Sequence, residues 1–133
     1  DLNKSMLFLL ETHDHQLQDT ISTTLKLLRK VARKNLALNL DIYNLYRLGE
    51  DPVSALEWLY PAVMNIDVKN WTIISPKERI VHYLKDGPMD YQSFFERLKA
   101  KGYNGYVSVE WFGKDPEIAA RVEFEYLQKV LKK

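Results

Sequence analysis

Four short apolar runs alternate with longer amphipathic stretches along this chain, and that alternation leaves few folds open. The runs are Met6-Leu7-Phe8-Leu9-Leu10, Leu36-Ala37-Leu38-Asn39-Leu40-Asp41, residues 62–69 with Val63, Ile66 and Val68, and residues 105–110 with Val107 and Val109. The first is continuous, which predicts a strand buried on both faces. Residues 19–33 follow it as a helix, with Asp19 as N-cap and Ile21, Leu25, Leu28 and Val31 at helical spacing. Asp51-Pro52 opens a second helix, carrying Ala55, Leu56 and Leu59 and stopping near Pro61. Asp90 caps a third over residues 91–101, with Tyr91, Phe94, Phe95 and Leu98 on one face and Gly102 at its end. Asp115-Pro116 starts a fourth that runs to about Leu131. Residues 42–50 read as a loop, and residues 70–88, with Pro76, Gly87 and Pro88, as a long irregular connection.

Strands alternating with helices imply right-handed crossovers and a parallel sheet. The expected fold class is therefore α/β, four strands alternating with four helices in one domain over residues 1–133. Four such units fall short of a closed eight-stranded barrel, which takes roughly 200 residues or more. An open four-stranded sheet satisfies the same pattern. The 46% hydrophobic content suffices for a core, and no apolar run approaches the roughly 18–20 residues of a membrane span. With no cysteine, disulfides, thiolate metal sites and cysteine nucleophiles are excluded, which suits a cytoplasmic protein. A net charge of +1 gives no footprint for a nucleic-acid backbone. The cluster Lys26, Arg29, Lys30, Arg33 and Lys34 reads as a solvated helix face.

Three of the four strands end in an acid: Glu11, Asp41 and Glu110. The fourth contains Asp67, with Lys69 two residues on. Ligands bind at the C-terminal strand ends of parallel α/β folds. Acids gathered there repel unless a cation or protons compensate, and oxygen donors suit hard divalent cations. Acids at strand ends also cap following helices, but Asp41 lies nine residues before its expected helix and Glu110 five before Asp115. His13 and His15 follow Glu11 closely, while His82 falls in the irregular segment. Trp71 and Trp111 follow strand ends, where they could stack on a sugar or equally pack as core or lid; Trp58 and Tyr60 read as packing.

These residues together resemble the C-terminal half of the xylose isomerase-like barrel family, which includes sugar phosphate isomerases, ketose 3-epimerases, inosose dehydratases and apurinic-site endonucleases. Leu10-Glu11-Thr12-His13 resembles the fifth-strand motif; Leu38-Asn39-Leu40-Asp41 with Gly49-Glu50-Asp51-Pro52 resembles the sixth strand and its loop. Ile66-Asp67-Val68-Lys69-Asn70 resembles the seventh strand, Gly87-Pro88-Met89-Asp90-Tyr91 the signature before the seventh helix, and residues 102–110 the eighth strand. The resemblance implies the (β/α)4 half of a TIM barrel, strands five to eight. It implies Mn²⁺ or Mg²⁺ held by Glu11, Asp41, Asp67 and Glu110. Glu11 and Glu110 would form the acid/base pair that moves a proton beside the carbonyl of a sugar or sugar phosphate. His13, Asn44, Lys69 and Trp111 are the implied substrate contacts.

Two residues depart from the family pattern. Asp67 stands where a histidine is usual, and Asn44 where a histidine follows the sixth-strand aspartate. Asn44 can hydrogen-bond a hydroxyl but cannot act as a base. The chain also opens at Asp1 without Met, almost directly before a strand, and the first four barrel strands have no counterpart. It therefore reads as a fragment, inactive alone, of a metal-dependent isomerase or epimerase. A non-catalytic carbohydrate-binding or structural member of the same fold is the alternative. An endonuclease would need several metal-binding histidines and a basic groove, which are missing. A half-barrel exposes the sheet face meant for the barrel interior, so a homodimer through that face is expected.

Overall fold

The computed structural model describes residues 6–132; the opening at Asp1 lies outside the described residues. The chain forms two compact units. One runs up to Asp67 and takes in Gly105–Ser108; the other holds Val68–Asn104 and the chain from Val109 onward.

The first unit is built on the sheet. Its strands are β1 (Phe8–Glu11), β2 (Leu36–Asp41), β3 (Val63–Val68) and β6 (Tyr106–Val109), in spatial order β1-β2-β3-β6. β1 pairs parallel with β2, and β2 with β3, as the alternating pattern predicts. Glu11 lies opposite Asn39, and Asp41 opposite Asp67. Leu38 pairs with Val63 but Asn39 with Asn65, so Met64 is the extra residue of a bulge. Leu38, Leu40 and Ile66 pack fully buried with Ile42, Leu45, Ala55, Leu56 and Leu59 of the helices. β1 is not the doubly buried strand its continuous apolar run predicts. It is a sheet edge, and Met6, Leu7, Phe8 and Leu9 are all exposed.

The helices of this unit correct two boundaries. α1 spans Ile21–Val31, and Thr20, not Asp19, is its N-cap: Thr20 and Thr23 form a reciprocal capping box. Asp19 instead accepts a bond from the Thr23 hydroxyl. Residues 42–50 are not a plain loop. α2 (Ile42–Arg47) starts directly after β2, with Asp41 as its N-cap. Gly49 then turns the chain at φ +85°, where a side chain would strain the backbone. α3 (Pro52–Leu59) follows, capped by Asp51 through the Ser54 N–H and continued by a 3₁₀ turn at Tyr60–Ala62. Trp58 does not pack; it is two-thirds exposed at 66%.

In the second unit the supposedly irregular segment holds an antiparallel hairpin, β4 (Trp71–Ser75) and β5 (Glu78–Val81). Its apolar residues Ile73, Ile74 and Ile80 are exposed, so no burial alternation marks it in the sequence. α4 (Tyr91–Ala100) is capped by Asp90, whose carboxyl the Ser93 hydroxyl and two backbone N–H groups hold below its usual range. α5 (Pro116–Leu131) starts at Asp115, whose φ of +53° leaves no side-chain cap bond. Tyr91, Phe94, Phe95 and Leu98 are fully buried, and Phe95 reaches Tyr126 of α5 edge-on.

Gly87 is fixed by a close approach. A Cβ there would meet the Asn70 amide at 2.1–2.3 Å. That amide ties the segment before α4 together: it donates to the Leu84 and Met89 carbonyls and accepts from the Met89 N–H.

Candidate functional site

The first unit carries Glu11, Asp41 and Asp67 on adjacent parallel strands. Asp41 is fully buried. Its Oδ1 accepts from the Asn44 backbone N–H at 3.1 Å and its Oδ2 from Asn44 Nδ2 at 2.8 Å. The sequence separation that excluded capping was measured to α3; α2 intervenes, and Asp41 caps it. The second hydrogen of the Asn44 amide goes to the Thr12 carbonyl at 3.1 Å, while the Thr12 hydroxyl donates to the Asp41 carbonyl. Asn44 is itself buried, so this side chain, expected at substrate, is committed to local structure.

Asp67 is also held on both oxygens. Asn65 Nδ2 donates to Oδ1 at 2.9 Å and Asn39 Nδ2 donates to Oδ2. Glu11 differs: its backbone carbonyl accepts from Gln18, but its carboxylate makes no hydrogen bond or ion pair among the described residues. His13 is half exposed and its Nδ1 lies 3.0 Å from Asp14 Oδ1; Asp14 in turn pairs with Arg47 at 2.9 Å. His15 is exposed at φ +61°. Glu50, in sequence only part of the loop motif after β2, accepts from the Ile21 N–H at 3.0 Å and ties down the first turn of α1 from 29 residues away. Only its place beside the Asp-Pro helix start hinted at it.

The second unit holds Lys69, Glu110 and Trp111. Lys69 is almost completely buried, and its Nζ lies 2.7 Å from Glu110 Oε2. Its backbone is pinned by one tyrosine: the Tyr91 hydroxyl donates to the Lys69 carbonyl at 2.7 Å and accepts from its N–H at 3.1 Å. The Glu110 N–H bonds the Val68 carbonyl, which fixes the chain just past β6. The ammonium also lies 5.2 Å from the Trp71 ring and 5.8 Å from Phe112. Arg79 approaches the same two rings at 4.9 and 4.6 Å. Arg79 and Phe112 have no counterpart among the expected site residues, because the hairpin that presents Arg79 is not visible in the apolar pattern.

Trp111 stacks on Tyr83 at 5.2 Å, and its Nε1–H donates to the Lys114 carbonyl. A Cβ on Gly113 would meet the Trp111 ring at 2.7 Å, so glycine lets the loop fold against the indole. These rings, with Arg79, His82 and Lys114, line a cleft of about 630 Å³.

Asp41 and Asp67 have both oxygens hydrogen-bonded, and Glu110 is paired with an ammonium. Among the described residues no three His, Asp or Glu side chains form a group that could hold a metal ion.

A 3-dehydroshikimate dehydratase of Bacillus anthracis is 28% identical over 137 residues, matching 92% of this chain and 48% of the relative. The crystal structure of the probable 3-DHS dehydratase of petrobactin synthesis, also from Bacillus anthracis, superimposes with a TM-score of 0.83 at 27% identity, over 92% of this chain and 49% of that one. A xylose isomerase-like TIM barrel protein from Mycobacterium smegmatis, in complex with magnesium, gives 0.75 at 22% identity, over 94% of this chain and 44% of that one. An L-ribulose 3-epimerase gives 0.74 at 17%, over 95% and 47%. The last two show the fold alone. The chain spans about half the length of the proteins it matches. Residues 3–130 match the family directly, and the chain belongs to the xylose isomerase-like TIM barrel family.

Proposed function

We propose that this chain carries part of the active site of a sugar-acting enzyme that removes a proton from the carbon beside a carbonyl. The observation that carries the reading is the Lys69–Glu110 pair, a buried ammonium 2.7 Å from a carboxylate oxygen with Trp71 and Phe112 beside it. Lys69 places positive charge where a carbonyl oxygen becomes an enolate, and the aromatic walls strengthen that interaction by excluding water. Glu110, partly exposed, takes or returns the proton.

Return of the proton to the opposite face of the same carbon would epimerise the substrate, and its return to the neighbouring carbon would isomerise it; loss of a hydroxyl from the next carbon, which leaves with a proton as water, would dehydrate it. The 28%-identical dehydratase favours dehydration. The substrate class is a small polyhydroxylated carbonyl compound, a sugar, sugar phosphate or 3-dehydroshikimate itself. The magnesium complex of the Mycobacterium smegmatis protein is support for Mg²⁺ in that relative. No step of this reading passes through Mn²⁺ or Mg²⁺.

The test is solvent exchange. In D₂O, with 3-dehydroshikimate and a panel of ketoses, proton NMR should show deuterium entering beside the carbonyl or water being lost. Glu110→Gln and Lys69→Met should each slow this about a hundredfold or more. The internal hydrogen bonds of Asp41, Asn44 and Asp67 favour a second reading, a carbohydrate-binding member without turnover. Sugar binding with no exchange on any substrate would establish that reading instead.

A further inference from the structure

Arg79 is a cation held by rings and by nothing else. The hairpin register sets it opposite Ile73, so Arg79 and Trp71 share one face of the two strands on a diagonal. Its guanidinium lies 4.9 Å from the Trp71 ring and 4.6 Å from the Phe112 ring, within cation–π range of both. Among the described residues no carboxylate pairs with it and no hydrogen bond engages it, so the N–H donors of its fork are uncommitted. The cleft it lines carries more positive than negative charge. Lys114 joins Arg79 there without an ion pair among the described residues, and Asp86 is the one acid of the wall. His82 is already hydrogen-bonded to the Thr72 hydroxyl through Nε2 at 2.9 Å. Lys69 Nζ reaches the same Trp71 ring at 5.2 Å, so ammonium and guanidinium are at most about 10 Å apart. Lys69 is buried and committed to Glu110, whereas Arg79 is exposed.

We propose that Arg79 selects a substrate that carries an oxyanion, a carboxylate or a phosphate, by pairing with it in this cleft. The proposal rests on the proton-transfer reading of Lys69 and Glu110 for the place of the reacting carbon. A guanidinium suits the task because its planar fork meets two oxygens of a carboxylate or phosphate at once. The ring contacts fix it before the ligand arrives, so little side-chain freedom is lost on binding. A neutral sugar would leave the positive charge of the cleft unmatched. An anionic carbonyl compound of hexose size spans the distance from Arg79 to Lys69, with its oxyanion at one and its carbonyl oxygen at the other. Arg79 then fixes the end of the substrate that does not react, and Lys69 answers the charge that develops at the end that does.

The experiment measures binding of probes that cannot react. Shikimate and its methyl ester differ in a carboxylate, and glucitol 6-phosphate and glucitol in a phosphate; none carries a ketone or an aldehyde. Each is titrated into the purified nitrogen-labelled protein and followed by NMR, as wild type, Arg79→Gln and Arg79→Lys. The charged member of one pair should bind the wild type roughly tenfold or more tightly than its neutral counterpart. Arg79→Gln should remove that preference, and Arg79→Lys should keep part of it, because the charge remains while the fork is lost. The pair that shows the preference tells carboxylate from phosphate. Equal affinity for charged and neutral probes, no binding of any probe, or a preference that survives in Arg79→Gln would each overturn the proposal. The proton-transfer reading fails separately. A preference lost in Arg79→Gln, with no exchange on any substrate in D₂O, would keep Arg79 as an anion site and remove the chemistry beside it.

Discussion

Glu123 is the most sharply testable group in the second unit. It sits on α5 almost fully buried, with 1% of its surface exposed. Oε1 accepts from the Leu84 N–H at 2.9 Å, and Oε2 is buried with no hydrogen-bond partner. Burial raises its pKa above the ordinary carboxylate value; Asp86 adds to the rise, while the Leu84 bond and Lys85 oppose it. The sign follows directly. At a pH below the unfolded-state pKa both states hold the proton. As pH rises, the unfolded chain releases its proton first and the folded chain retains it, so stability falls until the folded pKa is passed. Glu123→Gln keeps the shape and the acceptor for Leu84 but cannot ionise. A buried charged group with an unmatched oxygen costs about 1–3 kcal/mol. The glutamine variant should therefore be more stable than wild type by that amount at pH 7. For a domain of this size that is roughly 3–12 °C in melting temperature. The difference should shrink towards zero near pH 4. Thermal melts of both proteins at intervals from pH 4 to pH 8 read it out. A difference that stays constant across that range would refute the argument, because it would place the effect in packing and not in ionisation.

Gly87→Ala should lower stability by about 2–3 kcal/mol in a urea melt, since its Cβ would occupy the space of the Asn70 amide; an unchanged midpoint would mean the amide has another place to go. Asp41→Ala should cost about 2 kcal/mol as a lost buried cap, while Asp41→Asn, which can still cap, should cost less than half of that. Lys69→Ala removes the ammonium that lies 2.7 Å from Glu110, and solvent exchange should slow about tenfold or more; an unchanged rate would mean that the ammonium takes no part. The sheet face presents exposed Leu7, Leu9, Met64 and Tyr106, so sedimentation velocity should show self-association that Leu9→Lys reduces; a monodisperse monomer at high concentration would rule out the homodimer.

The parallel four-stranded sheet and three of the helix starts were legible because each has a local signal. An apolar run marks each strand, and Asp51-Pro52, Asp90 and Asp115-Pro116 mark the helices. The hairpin at 71–81 was not, because Ile73, Ile74 and Ile80 are exposed and carry no burial pattern. α2 was missed for the opposite reason. Its six residues are too few to show a helical period, and Ile42, Tyr43, Asn44 and Leu45 are all buried. The burial of β1 was misjudged because a continuous apolar run reports which residues avoid water and not which neighbours are present. Lys69 was legible from its place two residues past Asp67, yet its partner Glu110 is 41 residues away and no local pattern pairs them.

Recurrence of acids at strand ends does not by itself separate a ligand from a structural group; the destinations of the carboxylate oxygens do. Asp41 spends both on Asn44 and starts a helix. Asp67 spends both on asparagines of its own sheet. Glu110 keeps one oxygen on an ammonium and leaves a third of its side chain exposed, and Glu11 commits neither oxygen among the described residues. On the proposed reading, Asp41 and Asp67 build the scaffold and Glu110 exchanges the proton. Proton transfer on that reading needs a carboxylate oxygen that its neighbours leave open to the substrate. The reading predicts an outcome that a single set of variants can check: Glu110→Gln should slow exchange at least about a hundredfold and also lower the melting temperature, because it strands the buried Lys69 ammonium, Glu11→Gln should leave the melting temperature nearly unchanged, and Asp41→Ala and Asp67→Asn should lower it. Exchange unchanged in Glu110→Gln would mean that Glu110 is not reserved for chemistry.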